Sequence, residues 1–260
     1  MSVFVEVCVL GSEAIEDWEL VVADGAARAK KELFIKLGGL ERCTATGLDI
    51  LRRVFEAVAQ KNATLDAVVC FEEVPAYDET VTLDSLRKVA VSDAEEKDEA
   101  VDCSAVGGTF DHLHAGHRLL LAATALATKK RVYVGIASDA LLQSKKFSEF
   151  LEPFDRRAQI VVDYLKKSKP SLAVEVSALL DPKQPPKAAT LPQITGLVVS
   201  EETLKGAEKL RDMRRDQNIE EPLAFIVVGL IAASSLETEK LSSTFLRSRE
   251  QQEQALSKEE

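Results

Sequence analysis

The three histidines of this 260-residue chain, His112, His114 and His117, fall within six residues of one another. They follow a Gly-Gly-Thr turn in the segment GGTFDHLHAGH, residues 107–117, and an apolar run with helical spacing comes next. A single histidine usually has a structural role, but three together after a glycine turn indicate a functional site. Imidazoles in this pattern suit two chemistries, the binding of an anion and the ligation of a metal ion.

The anion interpretation uses the glycines as well as the histidines. Gly107 and Gly108 let main-chain amides approach an anion, and Thr109 adds a hydroxyl group. Gly116 permits close packing where the next helix begins. His117 then lies in the first turn of that helix, whose dipole favours a bound anion by about 0.3 to 1 kcal/mol at an exposed site. The segment therefore predicts a phosphate-binding turn.

Ligation of zinc by the three imidazoles is the minority interpretation. Metal-bound histidines are normally oriented by carboxylates, and the chain has no further HxH or HExxH element. This alternative predicts a metal-dependent hydrolase that holds stoichiometric zinc when purified. It stays open on the residues alone.

The elements around the histidine segment alternate between strands and helices. A short strand before Gly107 is followed by a helix at about 116–129, the strand RVYVGIA, a helix near 155–167, and the strands LAVEVSALL and TGLVVS. A helix at about 201–216, the strand LAFIVVGLIA and a helix from about Leu241 complete the pattern. Such alternation predicts right-handed βαβ units and an α/β fold, a Rossmann-like doubly wound parallel sheet. Ligands bind these sheets at the carboxyl ends of the strands.

The first hundred residues are α/β material with a less regular pattern. Strands are predicted at VFVEVCVL and LDAVVCF, and a helix at residues 48–60. The charged run SDAEEKDEA, residues 92–100, is typical of a linker or exposed loop. We therefore expect an N-terminal α/β accessory region over residues 1–100, without a predicted function, and a catalytic domain over residues 101–260.

Bulk properties restrict the partners. The chain is 46% hydrophobic, enough for a sizeable core, and has 43 acidic against 33 basic residues, a net charge of -10. That sign argues against wrapping nucleic acid. The four cysteines are far apart, which predicts free thiols, and no apolar run approaches the roughly 18 residues of a membrane span. We expect a cytoplasmic protein that binds neither nucleic acid nor membranes.

A second anion-binding element follows near the C-terminus, in KLSSTFLR, residues 240–247. Ser242, Ser243 and Thr244 are good helix caps, whose hydroxyls and neighbouring amides can hold phosphate oxygens. Arg247 lies one turn further on, so its guanidinium can point back at the same anion. Alone, such a run usually does no more than cap a helix.

These two elements carry a resemblance. GTFDHLHAGH resembles the GTFDxxHxGH form of the HxGH signature of the nucleotidylyltransferase superfamily, with His114 and His117 as the paired histidines. KLSSTFLR resembles the ISSTxxR element of that superfamily, with Leu241 in place of isoleucine. SDxLLxSK, which contains Lys145, and VSEETxKG, which contains Lys205, resemble the eukaryotic and archaeal type of phosphopantetheine adenylyltransferase.

The resemblance implies that AMP is transferred from ATP to 4'-phosphopantetheine, giving dephospho-coenzyme A and pyrophosphate, with Mg²⁺ bound through the ATP phosphates. It implies that Thr109 and Lys145 orient the pantetheine phosphate and that His114 and His117 contact the triphosphate, His117 at the reacting α-phosphate. The remaining phosphate contacts are implied for Gly107, Gly108, Lys205, Gly206, Ser242, Ser243, Thr244 and Arg247.

The chain departs from the family at one basic position. Bacterial members carry a basic residue three positions after the one that matches Lys205, and this chain has Glu208 there. Arg211, Arg214 or Arg215 is then the expected replacement. Nicotinamide mononucleotide adenylyltransferases share the ISSTxxR element, so the VSEETxKG segment is what disfavours that alternative.

Overall fold

The computed structural model describes residues 1–8, 15–38, 40, 42–62, 64–81, 97–181, 184–231 and 242–256. Within these ranges the strands form two parallel sheets, one of four strands and one of five. The four-stranded sheet is built from residues before 82 and the five-stranded sheet from residues after 100. The α/β fold with an additional N-terminal α/β region is therefore confirmed.

The first sheet has the strand order β3-β2-β1-β4. Residues such as Val3, Val5 and Ile35 are fully buried in it, because helices cover a parallel sheet and leave little strand surface for water. Thr44 caps α2 by accepting a hydrogen bond from the Gly47 amide at 3.0 Å. The elements are β1 (Ser2–Cys8), α1 (Ile15–Arg28), β2 (Glu32–Gly38), α2 (Ala45–Lys61), β3 (Asp66–Cys70) and β4 (Glu79–Val81).

The second sheet has the order β7-β6-β5-β8-β9, the predicted doubly wound arrangement. The chain winds from β5 to one side and then from β8 to the other, so the crevice between the carboxyl ends of β5 and β8 is the topological switch point. The strands are β5 (Val101–Gly108), β6 (Thr128–Ala137), β7 (Ala173–Leu179), β8 (Gly196–Ser200) and β9 (Ala224–Val228).

Four longer helices and three short helical turns accompany this sheet. The longer ones are α3 (Ala115–Ala127), α5 (Phe154–Ser168), α7 (Leu204–Asp216) and α8 (Ser243–Leu256). The turns are α4 (Asp139–Leu142), α6 (Lys187–Thr190) and a 3-10 turn at Ser148–Phe150. Among the described residues no helix is both long and apolar enough to span a lipid bilayer.

The element boundaries differ from the sequence predictions in informative places. The helix predicted at residues 48–60 is α2, whereas α1 and β2 were not predicted at all. The strand predicted at LAFIVVGLIA extends only over Ala224–Val228. Residues 82–96, which include most of the predicted linker, and residues 232–241 and 257–260 lie outside the described residues, as do Pro182 and Lys183 of the proline-rich loop.

Candidate active site

The histidine segment forms the connection from β5 to α3, at the switch point of the second sheet. Phe110 and His112 both have positive φ angles, 51° and 46°, a conformation that costs a residue other than glycine of order 1 to 3 kcal/mol. Complete burial of Phe110 and the hydrogen bonds of His112 offset this cost. The turn is therefore held by its surroundings rather than by its own conformational preference.

The glycines of the segment make room for specific rings. A Cβ atom on Gly108 would lie 3.1 Å from the Phe110 ring, and one on Gly116 would lie 3.2 Å from Cε1 and Nδ1 of His114. At Gly107 an added Cβ would meet only the Gly135 carbonyl, at an ordinary 3.7 Å. The glycine of the HxGH motif is thus required by the position of the first histidine.

His114 and His117 form a stacked pair, with ring centroids 4.0 Å apart and planes inclined by 28°. Phe110 packs at a tilt against His117, 5.5 Å between centroids. Burial lowers the pKa of His114 to about 4 and also lowers that of His117, and the positive charge of Arg118 adds to both effects. Both imidazoles are therefore neutral at neutral pH. Their Nδ1 atoms are buried without a hydrogen-bond partner within the described ranges.

His112 has a different environment. Its Nδ1 lies 3.0 Å from Oδ1 of Asp111, its Nε2 lies 3.1 Å from Oε2 of Glu250, and its amide donates to Glu152 at 2.8 Å. The hydrogen bond with Asp111 is the main cause that raises the pKa of His112 to about 9, so this ring is positively charged at neutral pH. Because Glu250 belongs to α8, His112 ties that helix to the turn.

The three imidazoles do not converge as a metal site requires. His112 faces two carboxylates, whereas the other two rings stack on each other. Across the described parts of the chain, the group of side chains close enough to share a cation is Asp111, His112 and Glu152. The Asp111 carboxylate already accepts hydrogen bonds from Arg247, His112 and the Glu152 amide. The zinc interpretation of HxHxxH is therefore wrong.

Asp111 and Arg247 form a buried ion pair that joins the two anion-binding elements. Their side chains are 0% and 1% exposed. Burial alone would raise the pKa of Asp111, but hydrogen bonds from His112, Glu152 and Arg247 lower it. The other guanidinium nitrogens of Arg247 donate to the Lys146 carbonyl and to Oγ1 of Thr244, each at 3.2 Å. Each of the three guanidinium nitrogens thus contacts a protein acceptor, and the direct phosphate contact implied for Arg247 stays a prediction.

The serines at the start of α8 dock this helix on the turn. As predicted, Ser242 caps the helix, since its Oγ accepts a hydrogen bond from the Phe245 amide at 3.2 Å. Ser243 Oγ donates to the Asp111 carbonyl at 2.7 Å. The N-terminal end of α8, whose dipole favours anions, therefore lies beside the histidine segment.

Lys145 and Thr109, predicted to act together, are in contact. Lys145 Nζ donates to Thr109 Oγ1 at 3.1 Å, although the two residues are 36 positions apart. Burial lowers the pKa of Lys145, and the nearby charges of Arg247 and Arg157 lower it further. An anion bound here would offset that unfavourable concentration of positive charge. The contact places an ammonium and a hydroxyl group at the carboxyl edge of the sheet.

Arg157 supports this edge and was not predicted from the sequence. Its guanidinium is fully buried and donates to the carbonyls of Thr109 at 2.6 Å and Glu152 at 2.8 Å, and to Oδ1 of Asp139 at 2.6 Å. The polar stretch FDRRAQ suggests solvent-exposed arginines, but helical spacing places Arg157, unlike its exposed neighbour Arg156, on the same face as the buried Val161. Only the fold shows that it holds the main chain at Thr109.

Lys205 and Gly206 lie in the first turn of α7, directly after β8 at the same edge, and both are exposed. Which of the three arginines replaces the basic residue at the position of Glu208 stays a prediction, but Arg214 and Arg211 both have protein partners. Arg214 is 2% exposed and donates to the main chain at Ala188 and elsewhere, and Arg211 stacks on Phe225.

Arg215, the third candidate for that position, is exposed and pairs with Asp212 at 2.5 Å.

The fold defines an α/β protein of the doubly wound, Rossmann-like type, and these groups form a candidate anion-binding site at its switch point. The model of the cytidylyltransferase-like family matches residues 105–250, more than half of the chain, and the protein belongs to that family. The matched range begins in β5 and ends in α8, so it contains both anion-binding elements.

Known relatives carry a more specific name. The chain is 42% identical over 146 residues to a phosphopantetheine adenylyltransferase of Saccharomyces cerevisiae, covering 55% of this chain and 47% of the relative. It is 37% identical over 165 residues to an uncharacterized protein of Schizosaccharomyces pombe, covering 58% and 52%. A phosphopantetheine adenylyltransferase of Pyrococcus abyssi is 31% identical over 144 residues, with 55% and 86% covered. The chain thus spans about half the length of the two yeast relatives.

Proposed function

We propose that this protein is a phosphopantetheine adenylyltransferase, which transfers AMP from ATP to 4'-phosphopantetheine and releases dephospho-coenzyme A and pyrophosphate. The observation that carries the proposal is the meeting, at one edge of the sheet, of the neutral His114 and His117 pair, the Lys145 to Thr109 contact and the N-terminus of α8. Relatives named for this activity from a yeast and an archaeon support the choice of substrates.

The site needs no general base for this reaction. The nucleophile is a phosphate monoester with a second pKa of about 6, so it is already mostly dianionic at neutral pH. Catalysis then requires that two polyanions be aligned and that the negative charge developing on the α-phosphate and the pyrophosphate be neutralised. The described site residues match that demand, since they offer hydroxyl, ammonium, imidazole and amide donors rather than a nucleophile.

Each element has a place in this scheme. Thr109 and Lys145 hold the phosphate of phosphopantetheine, and His117, with His114 stacked on it, donates to the reacting α-phosphate. Ser242, Thr244 and the amides of α8 bind the leaving pyrophosphate, with Gly107, Gly108, Lys205 and Gly206 lining the rest of the edge. Arg247 acts indirectly, because its ion pair with Asp111 holds α8 against the histidine turn.

Magnesium fits this site only as the companion of ATP. The groups that the proposal places at the phosphates, such as Lys145, Thr109 and His117, are cationic or neutral donors. The cluster of Asp111, His112 and Glu152 is occupied by its own ion pairs and hydrogen bonds. A magnesium ion would therefore be held by phosphate oxygens and would neutralise part of their charge. The cytoplasmic location, and partners restricted to these small molecules, belong to the same proposal.

The test is a matrix of substrates. ATP, CTP and GTP are each offered with phosphopantetheine, nicotinamide mononucleotide or glycerol phosphate, and pyrophosphate release is measured with magnesium present. We expect turnover with ATP and phosphopantetheine at least about 100-fold above the other combinations, since a site with buried donors rejects analogues that leave them unpaired. Preference for nicotinamide mononucleotide or for CTP would replace the proposed acceptor or nucleotide.

Two lysines provide a matched pair of variants. Lys145→Ala removes the ammonium that contacts Thr109 and should raise the KM for phosphopantetheine and lower turnover. Lys130→Ala removes a lysine that is 71% exposed and pairs with Asp102. Lys130 lies in the amino-terminal half of β6, whereas the candidate site is at the carboxyl ends of the strands. This variant should retain wild-type kinetics, because an exposed ion pair contributes little. Equal kinetics in both variants would contradict the role given to Lys145.

A further inference from the structure

Helix α3, which carries His117, is shared by the two sheets. One side of the helix contributes Leu119, Ala122 and Leu126 to an apolar core that also contains Val54 and Phe55 of α2. The opposite side contributes Leu121 and Ala125 to a core formed largely by β6 and α5. The N-terminal region therefore packs directly on the helix that follows the histidine turn.

Hydrogen bonds fasten β3 of the first sheet to the second unit. Ser168 at the end of α5 donates through Oγ to the Val69 carbonyl at 2.6 Å. Its main-chain carbonyl accepts a hydrogen bond from the Phe71 amide at 2.8 Å. Ser168 is fully buried, so these bonds are shielded from water. The first sheet thus presents β3 to the second unit in a fixed position.

A polar connection runs from β3 to the histidine turn. Asp66, the first residue of β3, accepts a hydrogen bond from Nη1 of Arg118, the residue after His117. Nη2 of the same guanidinium donates to the Leu113 carbonyl, inside the turn, at 3.3 Å. The Arg118 side chain is 9% exposed and that of Asp66 is 38% exposed. One guanidinium therefore bridges a carboxylate of the N-terminal region and the main chain between His112 and His114.

The connection has an electrostatic side as well. Arg118 is a nearly buried cation whose charge lowers the pKa of both His114 and His117. Asp66 is the counter-ion of Arg118 and orients its guanidinium. A buried charge that loses its partner is strongly destabilised or moves towards water. A neutral residue in place of Asp66 would leave Arg118 without its counter-ion, and its guanidinium would then move away from the Leu113 carbonyl.

We propose that the N-terminal region is a positioning domain for the active site, and that Asp66 is a positioning residue which, through Arg118, fixes the turn from Phe110 to His117. The alternative is a structural extension that adds stability without affecting the geometry of the histidines. The proposal goes beyond the choice of substrates, because it concerns the placement of imidazoles and can be tested without any substrate.

The chain offers a direct probe, since all three of its histidines lie in this turn. In full-length protein labelled with ¹³C-histidine, three Cε1–H signals report on the site, assigned with single His→Gln variants. We expect Asp66→Asn to move the signals of His114 and His117 while that of His112 stays. Asp66→Glu keeps a carboxylate for Arg118 and should restore the signals towards wild type.

Two further variants complete the test. Arg118→Lys keeps the charge but replaces the planar fork, whose two nitrogens reach Asp66 and Leu113, by one ammonium on a different stem, so it should move the same two signals. Asp102→Asn, the matched control, removes an exposed aspartate that pairs with Lys130 and should leave all three signals unchanged.

A kinetic measurement accompanies the spectra. Because a misplacement of about 1 Å costs up to about 100-fold in rate, we expect turnover of Asp66→Asn to fall about ten-fold with KM within two-fold of wild type. If both Asp66→Asn and Arg118→Lys fold and show wild-type histidine signals, the proposal is overturned and the region is a structural extension. Displaced signals without any adenylyl transfer would support it and count against the proposed function alone.

Discussion

The two sheets share the order of their first four strands, yet within the described part of the chain the candidate site residues lie at the second sheet. In both, the first strand lies between the second and the fourth, and the third lies beyond the second. Both therefore have a crevice at the carboxyl end of their first strand. All three histidines and the contact between Lys145 and Thr109 belong to the second sheet. The strand order provides a place for a site, and the connecting segments provide its chemistry.

The two regions also differ in how deeply their ion pairs are buried. The ion pair of Asp111 and Arg247, beside the second sheet, has both side chains almost completely buried. On α2 of the first region, Arg52 pairs with Glu56 through side chains that are 26% and 18% exposed. Removal of one partner should therefore have very different consequences in the two regions.

The largest effect is expected from His117→Ala. Loss of one well-placed donor to a developing charge costs on the order of 100- to 1000-fold in turnover, about 3 to 4 kcal/mol. Lys36→Ala, towards the carboxyl end of the second strand of the first sheet, should retain wild-type turnover. Pyrophosphate release measures both, with circular dichroism to confirm folding. A His117→Ala protein with near-normal turnover would contradict the assignment of the site.

The next effect concerns stability. Arg247→Ala leaves the carboxylate of Asp111 buried without its main cation and should lower the free energy of unfolding by about 3 kcal/mol or more. Arg52→Ala removes two partly exposed ion pairs within one helix, with Asp49 and Glu56, so the expected loss stays below about 1 kcal/mol. Urea unfolding followed by circular dichroism distinguishes the two. Similar losses in the free energy of unfolding would contradict the proposal that the buried ion pair contributes more to stability than the partly exposed ones.

Substitution of two glycines near helix N-termini should have smaller effects, on turnover in one case and on stability in the other. Gly116→Ala adds a Cβ 3.2 Å from His114, so we expect about ten-fold lower turnover, while helix propensity rises by up to about 1 kcal/mol. Gly47→Ala in α2 adds a Cβ 3.0 Å from the Arg42 carbonyl and should lower stability without changing turnover. Thermal unfolding and kinetics on both variants test this, and unchanged turnover of Gly116→Ala would contradict it.

A last effect is the pH dependence of stability to which two histidines of the second region contribute. The pKa of His112 is raised from 6.5 to about 9, so its contribution to stability is fully present below pH 6.5 and is lost as pH rises to 9. The pKa of His114 is lowered to about 4, so stability falls as pH decreases from 6.5 towards 4.

His112→Gln isolates the first of these contributions. Its melting temperature should lie below that of wild type at pH 6, and the two should converge above pH 9. A constant difference between the two proteins across this range would show that His112 is not the group that titrates.

Much of the second region could be predicted from the sequence because its signals are local. The alternation of apolar strands and helices predicts the doubly wound sheet, and the glycine turn with its histidines predicts the connection from β5 to α3. In the first region, α1 and β2 were missed. Contacts across the molecule, such as Arg157 with the Thr109 carbonyl and Arg118 with Asp66, leave no local pattern.

The sequence by itself determined the class of fold and the residue types proposed to bind phosphate, since both follow from the spacing of residues that are close in the chain. The tertiary structure alone decided the charge state and the contacts of each of those residues. It separated the charged His112 from the neutral pair His114 and His117, because burial and neighbouring carboxylates set those pKa values. It also turned Arg247 inward to Asp111, since a guanidinium donates to whichever acceptors the fold brings within reach.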